Sequence, residues 1–196
     1  MTRQELKALA KEQIKPNLGV LILIYVIVAA ISYLPNLIAG IGTVVSIVVV
    51  PALTLATAII YLNMAAGVKP EIAELFKHFD KFWAAFKVSF FTGLFTFLWS
   101  LLLIIPGIIK AFGYSMAMYI LAENPDMPAR EALKKSEAMM KGHKMELFVL
   151  YLSFLGWLLL CCVTFGIASL YVAPLMSATF TNFYNSIKSA PVEVIE

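Results

Sequence analysis

Residues Leu18 to Leu34, LGVLILIYVIVAAISYL, carry no charge and are long enough to span the hydrocarbon core of a bilayer. A second uncharged run follows from Leu37 to Leu62. Four more apolar runs complete the pattern: Phe82–Ile105, Ile108–Leu121, one from the Glu146 region to Val163, and Ile167–Tyr184. Short base-rich stretches lie between alternate pairs of these runs. No water-soluble core can absorb so much apolar sequence: 61% of the chain is hydrophobic and only 14% charged, where a globular domain is about a quarter charged. Lipid can absorb it, and no polar stretch is long enough to build a separate soluble domain.

The fold class that follows is an all-α polytopic membrane protein with six transmembrane helices in three hairpins. Each hairpin is preceded by a charged amphipathic helix. The units divide the single membrane domain 1–196 at 1–66, 67–123 and 124–196. In the first, Thr2 and Glu5 stand at capping-box spacing, and Leu6, Leu9, Ala10 and Ile14 share one helical face opposite Lys7, Lys11 and Lys15. Pro16-Asn17 ends that helix, and Pro35-Asn36 with Gly40 and Gly42 marks the turn between spans. In the second, Pro70 opens a helix reaching Lys81, with Ile72, Leu75, Phe76 and Phe79 on its apolar face. Trp83 and Trp99 bracket the third span as interfacial anchors do, and Pro106-Gly107 breaks it. Ile108–Leu121 is short, about 21 Å of helix at 1.5 Å per residue, against about 30 Å of hydrocarbon. Its crossing is required to keep the next base-rich stretch on the same side as the others. In the third unit Asp126 is the expected cap, Ala129, Leu133, Ser136 and Met140 the inner face, and Gly142 a left-handed stop.

Fourteen of the fifteen bases fall in the N-terminal segment, the stretches 69–87 and 130–144, and the tail at Lys188. The three opposite turns carry none, which places both termini in the cytoplasm. With Glu5 and Glu12 among its bases, the N-terminus does not read as a cleaved secretory signal. The units also echo one another. Sliding the chain by 66 residues superposes Leu9, Lys11 and Lys15 on Leu75, Lys77 and Lys81. A slide of 123 superposes Pro51 and Tyr61 on Pro174 and Tyr184. This fits a parallel three-fold repeat, although any amphipathic helix places Leu and Lys at such spacings.

Apart from Lys87 at the entry of the third run, Lys110 is the one base inside an apolar run, and an intramembrane charge is a functional candidate by default. It either lifts its ammonium to the outer interface or contacts a ligand, ion or lipid headgroup. The second candidate is the pair of kinked spans: Pro51 with Thr54 and Thr57, and Pro174 with Ser177 and Thr181. Broken helices beside hydroxyls build many transporter sites, while small residues equally serve close packing. His78 and His143 lack ligand-type neighbours, and Cys161-Cys162 read as buried apolar residues, so neither metal nor cofactor is expected. No nucleophile elbow, zinc-protease or phosphate-loop motif is present, and no enzymatic activity is expected. The bases and apolar stripes suit membrane lipids with anionic headgroups on the cytoplasmic face, and a net charge of +3 argues against nucleic acid. A protein partner or a homo-oligomer fits equally.

The segments Leu102–Lys110 (LLIIPGIIK), Tyr114–Asp126, Arg130–Ser136, Met140–Lys144, Glu146–Phe148 and Ser177–Tyr184 resemble a family of bacterial integral membrane proteins, domain of unknown function 975. That resemblance implies a multi-span protein of the bacterial cytoplasmic membrane and supplies no catalytic residues. A more distant similarity, in the Ala-Leu-x-x-Ser and Lys-Gly pattern, is to membrane domains attached to some glycerophosphodiester phosphodiesterases. No hydrolase domain accompanies it here. The expected role is a non-enzymatic interaction or envelope-related module; the alternative is a transport or lipid-handling protein with a site between the hairpins. A water-filled cavity lined by Thr54, Thr57 or Thr181 favours the alternative. Flux or lipid scrambling by reconstituted protein, compared with Lys110→Ala, separates the two, and absence of movement in both removes the transport reading.

Overall fold

A computed structural model describes residues 1–33, 41–102 and 104–188, and every regular element among them is helical. Helix α1, Arg3–Ile14, opens on the expected capping box. The Thr2 hydroxyl accepts from the Glu5 N–H, and the Glu5 carboxylate accepts from the Thr2 N–H at 2.8 Å. Pro16 does not end the helical path: a 3₁₀ turn over Lys15–Asn17 carries the chain into α2, Leu18–Tyr33. The expected turn at Pro35-Asn36 lies outside the described residues, and Gly42 falls inside α3, Ile41–Ala65. Pro51 removes one N–H from the α3 ladder; beyond it, Thr54 and Thr57 donate to the carbonyls of Val50 and Leu53 at 2.8 and 2.7 Å.

The expected helix over 69–81 is mostly absent. Only α4, Glu74–Lys77, and a 3₁₀ turn at Phe79–Lys81 form. Leu75 is wedged with Ile24, Leu53, Ala56 and Ile60 against α2 and α3, and His78 leaves the helical region so that the chain can turn into α5. Helix α5, Phe82–Leu102, is about 31 Å long at 1.5 Å per residue, enough to cross a bilayer. Pro106-Gly107 does not separate helices but lies in the first turn of α6, Ile104–Tyr114. Gly107 is required there by close approach, since a Cβ would overlap the Ser100 side chain and backbone. The two helices run back along one another, with Phe95 and Tyr114 ring centroids 6.3 Å apart. A break at Ser115-Met116 leads into α7, Ala117–Glu123, so the short fourth run is extended to 19 residues over Ile105–Glu123.

Helix α8, Ala129–Met139, follows, then a turn in which Gly142 takes φ +81° as expected of a left-handed stop. Asp126 does not cap α8 but bonds the Lys81 ammonium at 2.8 Å. The fifth run is broken into α9, Lys144–Leu152, and α10, Leu155–Val163. Phe165 and Gly166, at φ +49° and +89°, turn the chain into α11, Ser169–Lys188, which contains Pro174.

The charged helices do not lie apart on a surface. The stripe Leu6, Ala10, Ile14 of α1 is buried, with α1 packed on α11; Ala129, Leu133 and Ser136 of α8 are buried against α5, α6 and α7. Each seats a polar group at a helix break. Ser136 accepts from the Met116 N–H at 3.1 Å and donates to the Gly113 carbonyl at 2.7 Å, bridging α6 and α7. Lys7 donates to the Ser153 carbonyl at 2.8 Å, between α9 and α10, with its ammonium 4.0 Å from the centre of the Phe154 ring. Breaks of this kind free backbone groups that lipid cannot satisfy.

Four helical stretches among the described residues are long and apolar enough to cross a membrane: Arg3–Tyr33, Glu74–Leu101, Ile105–Glu123 and Lys144–Val163. Their outward faces are apolar: Phe97, Leu101, Ile105, Leu159 and Val163 are all exposed, and Phe165 is 97% exposed. Such a continuous surface suits lipid and not water. Ser136→Ala should lower stability by about 1–3 kcal/mol, because it orphans a buried N–H. Thermal unfolding in neutral detergent measures this; an unchanged midpoint would show that the bridge is not needed.

Candidate functional site

Helices α2, α3, α7, α9 and α11 line an open-mouthed cavity of about 430 Å³, within the range of small-molecule sites. Thr54, Thr57 and Ser177, three of the residues singled out from the kinked spans, line it together. The prolines themselves are buried beside it, and their neighbours Val50 and Ala173 are in its wall. Each proline withholds one N–H from a helix that continues through it, about one turn before hydroxyls that line the cavity. Thr181, 1% exposed, sits behind the wall; its hydroxyl donates to the Ser177 carbonyl at 2.9 Å and lies in hydrogen-bonding reach of Tyr119.

Most of the polar lining comes from residues that linear reasoning missed. Tyr25 and Ser32 come from α2, Tyr61 from α3, Tyr119 from α7 and Tyr151 from α9. Ser115 stands at the α6–α7 break, its hydroxyl donating to the Phe112 carbonyl at 2.7 Å. Tyr61 of α3 and Ser177 of α11 both face the cavity. Tyr151 packs on Phe180 at 4.5 Å, and Tyr119 stacks on Tyr184 at 5.3 Å. Val28, Leu53, Met116, Met118 and Phe180 supply the apolar remainder. No acid, base or histidine lines the cavity among the described residues. The one sequence signal for these tyrosines was the recurrence of Tyr61 at Tyr184, which marks matching helix positions and not a shared cavity.

The arrangement can hold a molecule by many weak hydroxyl contacts. Thr54 and Thr57 spend their donors on their own helix, so they offer acceptor lone pairs inward. Tyrosine O–H groups can donate or accept. A full charge placed here would find no countercharge, and an isolated buried ion costs several kcal/mol.

Lys110 is not part of this cavity. Its ammonium bonds Glu137 of α8 at 2.5 Å and lies 5.1 Å from the centre of the Trp99 ring. Glu137 is 27 residues away in sequence and reaches it because α8 lies along the α5–α6 pair. At the other end of α7, Glu123 accepts from Tyr184 at 2.8 Å and from Lys188 at 2.7 Å. His143 pairs with Glu146 at 3.1 Å, and among the described residues no three His, Cys, Asp or Glu side chains are grouped to hold a metal ion.

Cysteine replacement maps the cavity directly. Ser177→Cys should react with a small neutral thiol reagent, and Thr181→Cys should be at least about tenfold slower because local opening must precede attack. Equal rates would mean that the wall between them is not closed. A family model described as "Protein of unknown function (DUF975)" matches residues 1–112 and 101–191. No curated protein and no solved structure matches the chain. Matched over nearly its whole length, the chain belongs to the DUF975 family of proteins of unknown function.

Proposed function

We propose that this chain is a six-span, non-enzymatic protein of the bacterial cytoplasmic membrane that binds and handles a small neutral amphiphile between its helical hairpins. The observation that carries this is the uncharged cavity holding Thr54, Thr57 and Ser177 with Tyr61 and Tyr119. An interaction or envelope-related module has no need of a cavity with hydroxyls set in an apolar wall, so the cavity favours lipid or small-molecule handling. Neutral ligands fit because nothing in the wall compensates a charge. A ligand with an apolar body and hydroxyl, carbonyl or ether oxygens satisfies both kinds of lining.

The six spans are α2, α3, α5, α6 with α7, α9 with α10, and α11. The distribution of bases puts both termini on the cytoplasmic side. Packing supports the three-unit reading. Charged helix α1 of the first unit packs on α11 of the third, α4 of the second on α3 of the first, and α8 of the third on α5–α7 of the second. Each charged element thus leans on the preceding unit in a closed cycle, as a parallel repeat around an axis along the membrane normal requires. The cavity takes wall residues from all three units.

Proteoliposomes test the reading. Wild-type protein should move a fluorescent lipid analogue between leaflets, or release a small neutral solute, faster than protein-free vesicles. Ser177→Trp should reduce that rate at least about tenfold by filling the cavity, while Lys110→Ala, outside it, should retain transport if folded. Movement indifferent to Ser177→Trp would sink the proposal, and no movement at all would return the protein to the interaction-module reading.

A further inference from the structure

The Lys110–Glu137 pair has an unused neighbour. Lys144, the first residue of α9, lays the end of its side chain against Gly113: a Cβ on that glycine would stand 3.6 Å from both its Cε and its Nζ. The same Cβ would be 3.8 Å from Cγ of Glu137, so the Lys144 ammonium and the ion pair converge on one spot of α6. Lys144 is half-buried and has no carboxylate within ion-pair distance among the described residues. Glu137 is thus spent on Lys110, and the three side chains together carry a net charge of +1 where α6, α8 and α9 meet. The start of α9 adds no further charge: Glu146 in its first turn meets the positive end of the helix dipole and is paired with His143.

The surroundings of this cationic cleft are apolar and open. Ile105, Ile108 and Ile109 are exposed on α6, and Met145, Phe148 and Leu152 on α9. Between them Phe112 meets Phe148 and Tyr151 edge-on at 6.0 Å, making a continuous aromatic floor. An excess positive charge at the head of an apolar groove is complementary to one kind of molecule, an anion carrying hydrocarbon chains. A soluble anion would use the charge and leave the groove empty; a zwitterionic lipid would fill the groove without matching the charge.

We infer that Lys144, with Lys110 held beside it by Glu137, binds the phosphate of an anionic phospholipid whose acyl chains lie in the α6–α9 groove. The site shares Tyr151 with the cavity wall but none of its charged groups, and it rests only on the membrane reading of the protein. Glu137 sets its strength by competing with the phosphate for Lys110. Removing the acid therefore strengthens binding, whereas removing Lys144 weakens it.

The test is binding of phosphatidylglycerol, phosphatidylcholine and inorganic phosphate to protein purified in neutral detergent, read by native mass spectrometry and by thermal protection. Wild type should prefer phosphatidylglycerol. Lys144→Gln should bind it about fivefold more weakly, the value of one base near an anionic surface. Glu137→Gln should bind it at least as tightly as wild type, and Lys134→Gln, which removes an exposed base elsewhere on α8, should be unchanged. Equal loss in Lys134→Gln and Lys144→Gln would reduce the effect to general surface charge and overturn the site. Weaker binding in Glu137→Gln, or protection by phosphate alone matching that by phosphatidylglycerol, would overturn it as well. None of these readouts depends on transport, so failure here leaves the cavity reading standing.

Discussion

Backbone hydrogen bonding inside an apolar bundle is the constraint on which this structure depends. Lipid offers no partner for a free N–H or carbonyl, so each interruption of a helix must be answered by another part of the protein. At Ser115-Met116 the answer is Ser136, fully buried on α8, bonding both sides of the break. At Ser153 it is the Lys7 ammonium from α1. The charged helices are therefore structural members of the bundle. The apolar stripes of α1 and α8 are covered by other helices, whereas Phe76 and Phe79 of the second charged stretch stay exposed.

The breaks have a second consequence. A straight α-helix directs its side chains outward along a regular spiral, and close packing of such helices leaves little space at the centre. The prolines inside α3 and α11 and the break at Ser115 lie where α3, α11 and the α6–α7 pair bring hydroxyls toward one another. Space opens there, and it is lined by tyrosine, serine and threonine and not by charge. Neutral hydroxyls are the polar groups that can be placed in such an interior without a countercharge. They tolerate several hydrogen-bonding arrangements, which favours a site that admits and releases its ligand.

Charge is placed by a different logic. The Lys110–Glu137 pair looks like an isolated intramembrane base when read along the chain, yet in space it is one end of a cluster on α8 and α9. Lys81 with Asp126, and Lys188 with Glu123, tie the ends of α5, α7 and α11 in the same manner. These exposed pairs contribute little stability individually. Their value is positional: each joins segments 45 or 65 residues apart in sequence.

The sequence by itself determined the class of this protein. Uncharged runs long enough to span lipid, the gathering of bases into alternate connections, the Thr2–Glu5 cap and the Gly142 stop all follow from local hydrophobicity and backbone preference, and the helices carry them out. Local rules also drew attention to Thr54, Thr57 and Ser177, because proline beside hydroxyls is visible in a linear string. They failed over 69–81, where the burial of Leu75 between α2 and α3 overrode a good helical pattern. They failed again for Lys110, whose partner could not be named until α8 was laid along α5 and α6. Only the tertiary structure decided that the kinked spans share one cavity, that tyrosines complete it, and that serine and lysine from the charged helices close the breaks. Apolar runs state what prefers lipid; they do not state which run lies beside which, because that is settled by side-chain packing between elements distant in sequence.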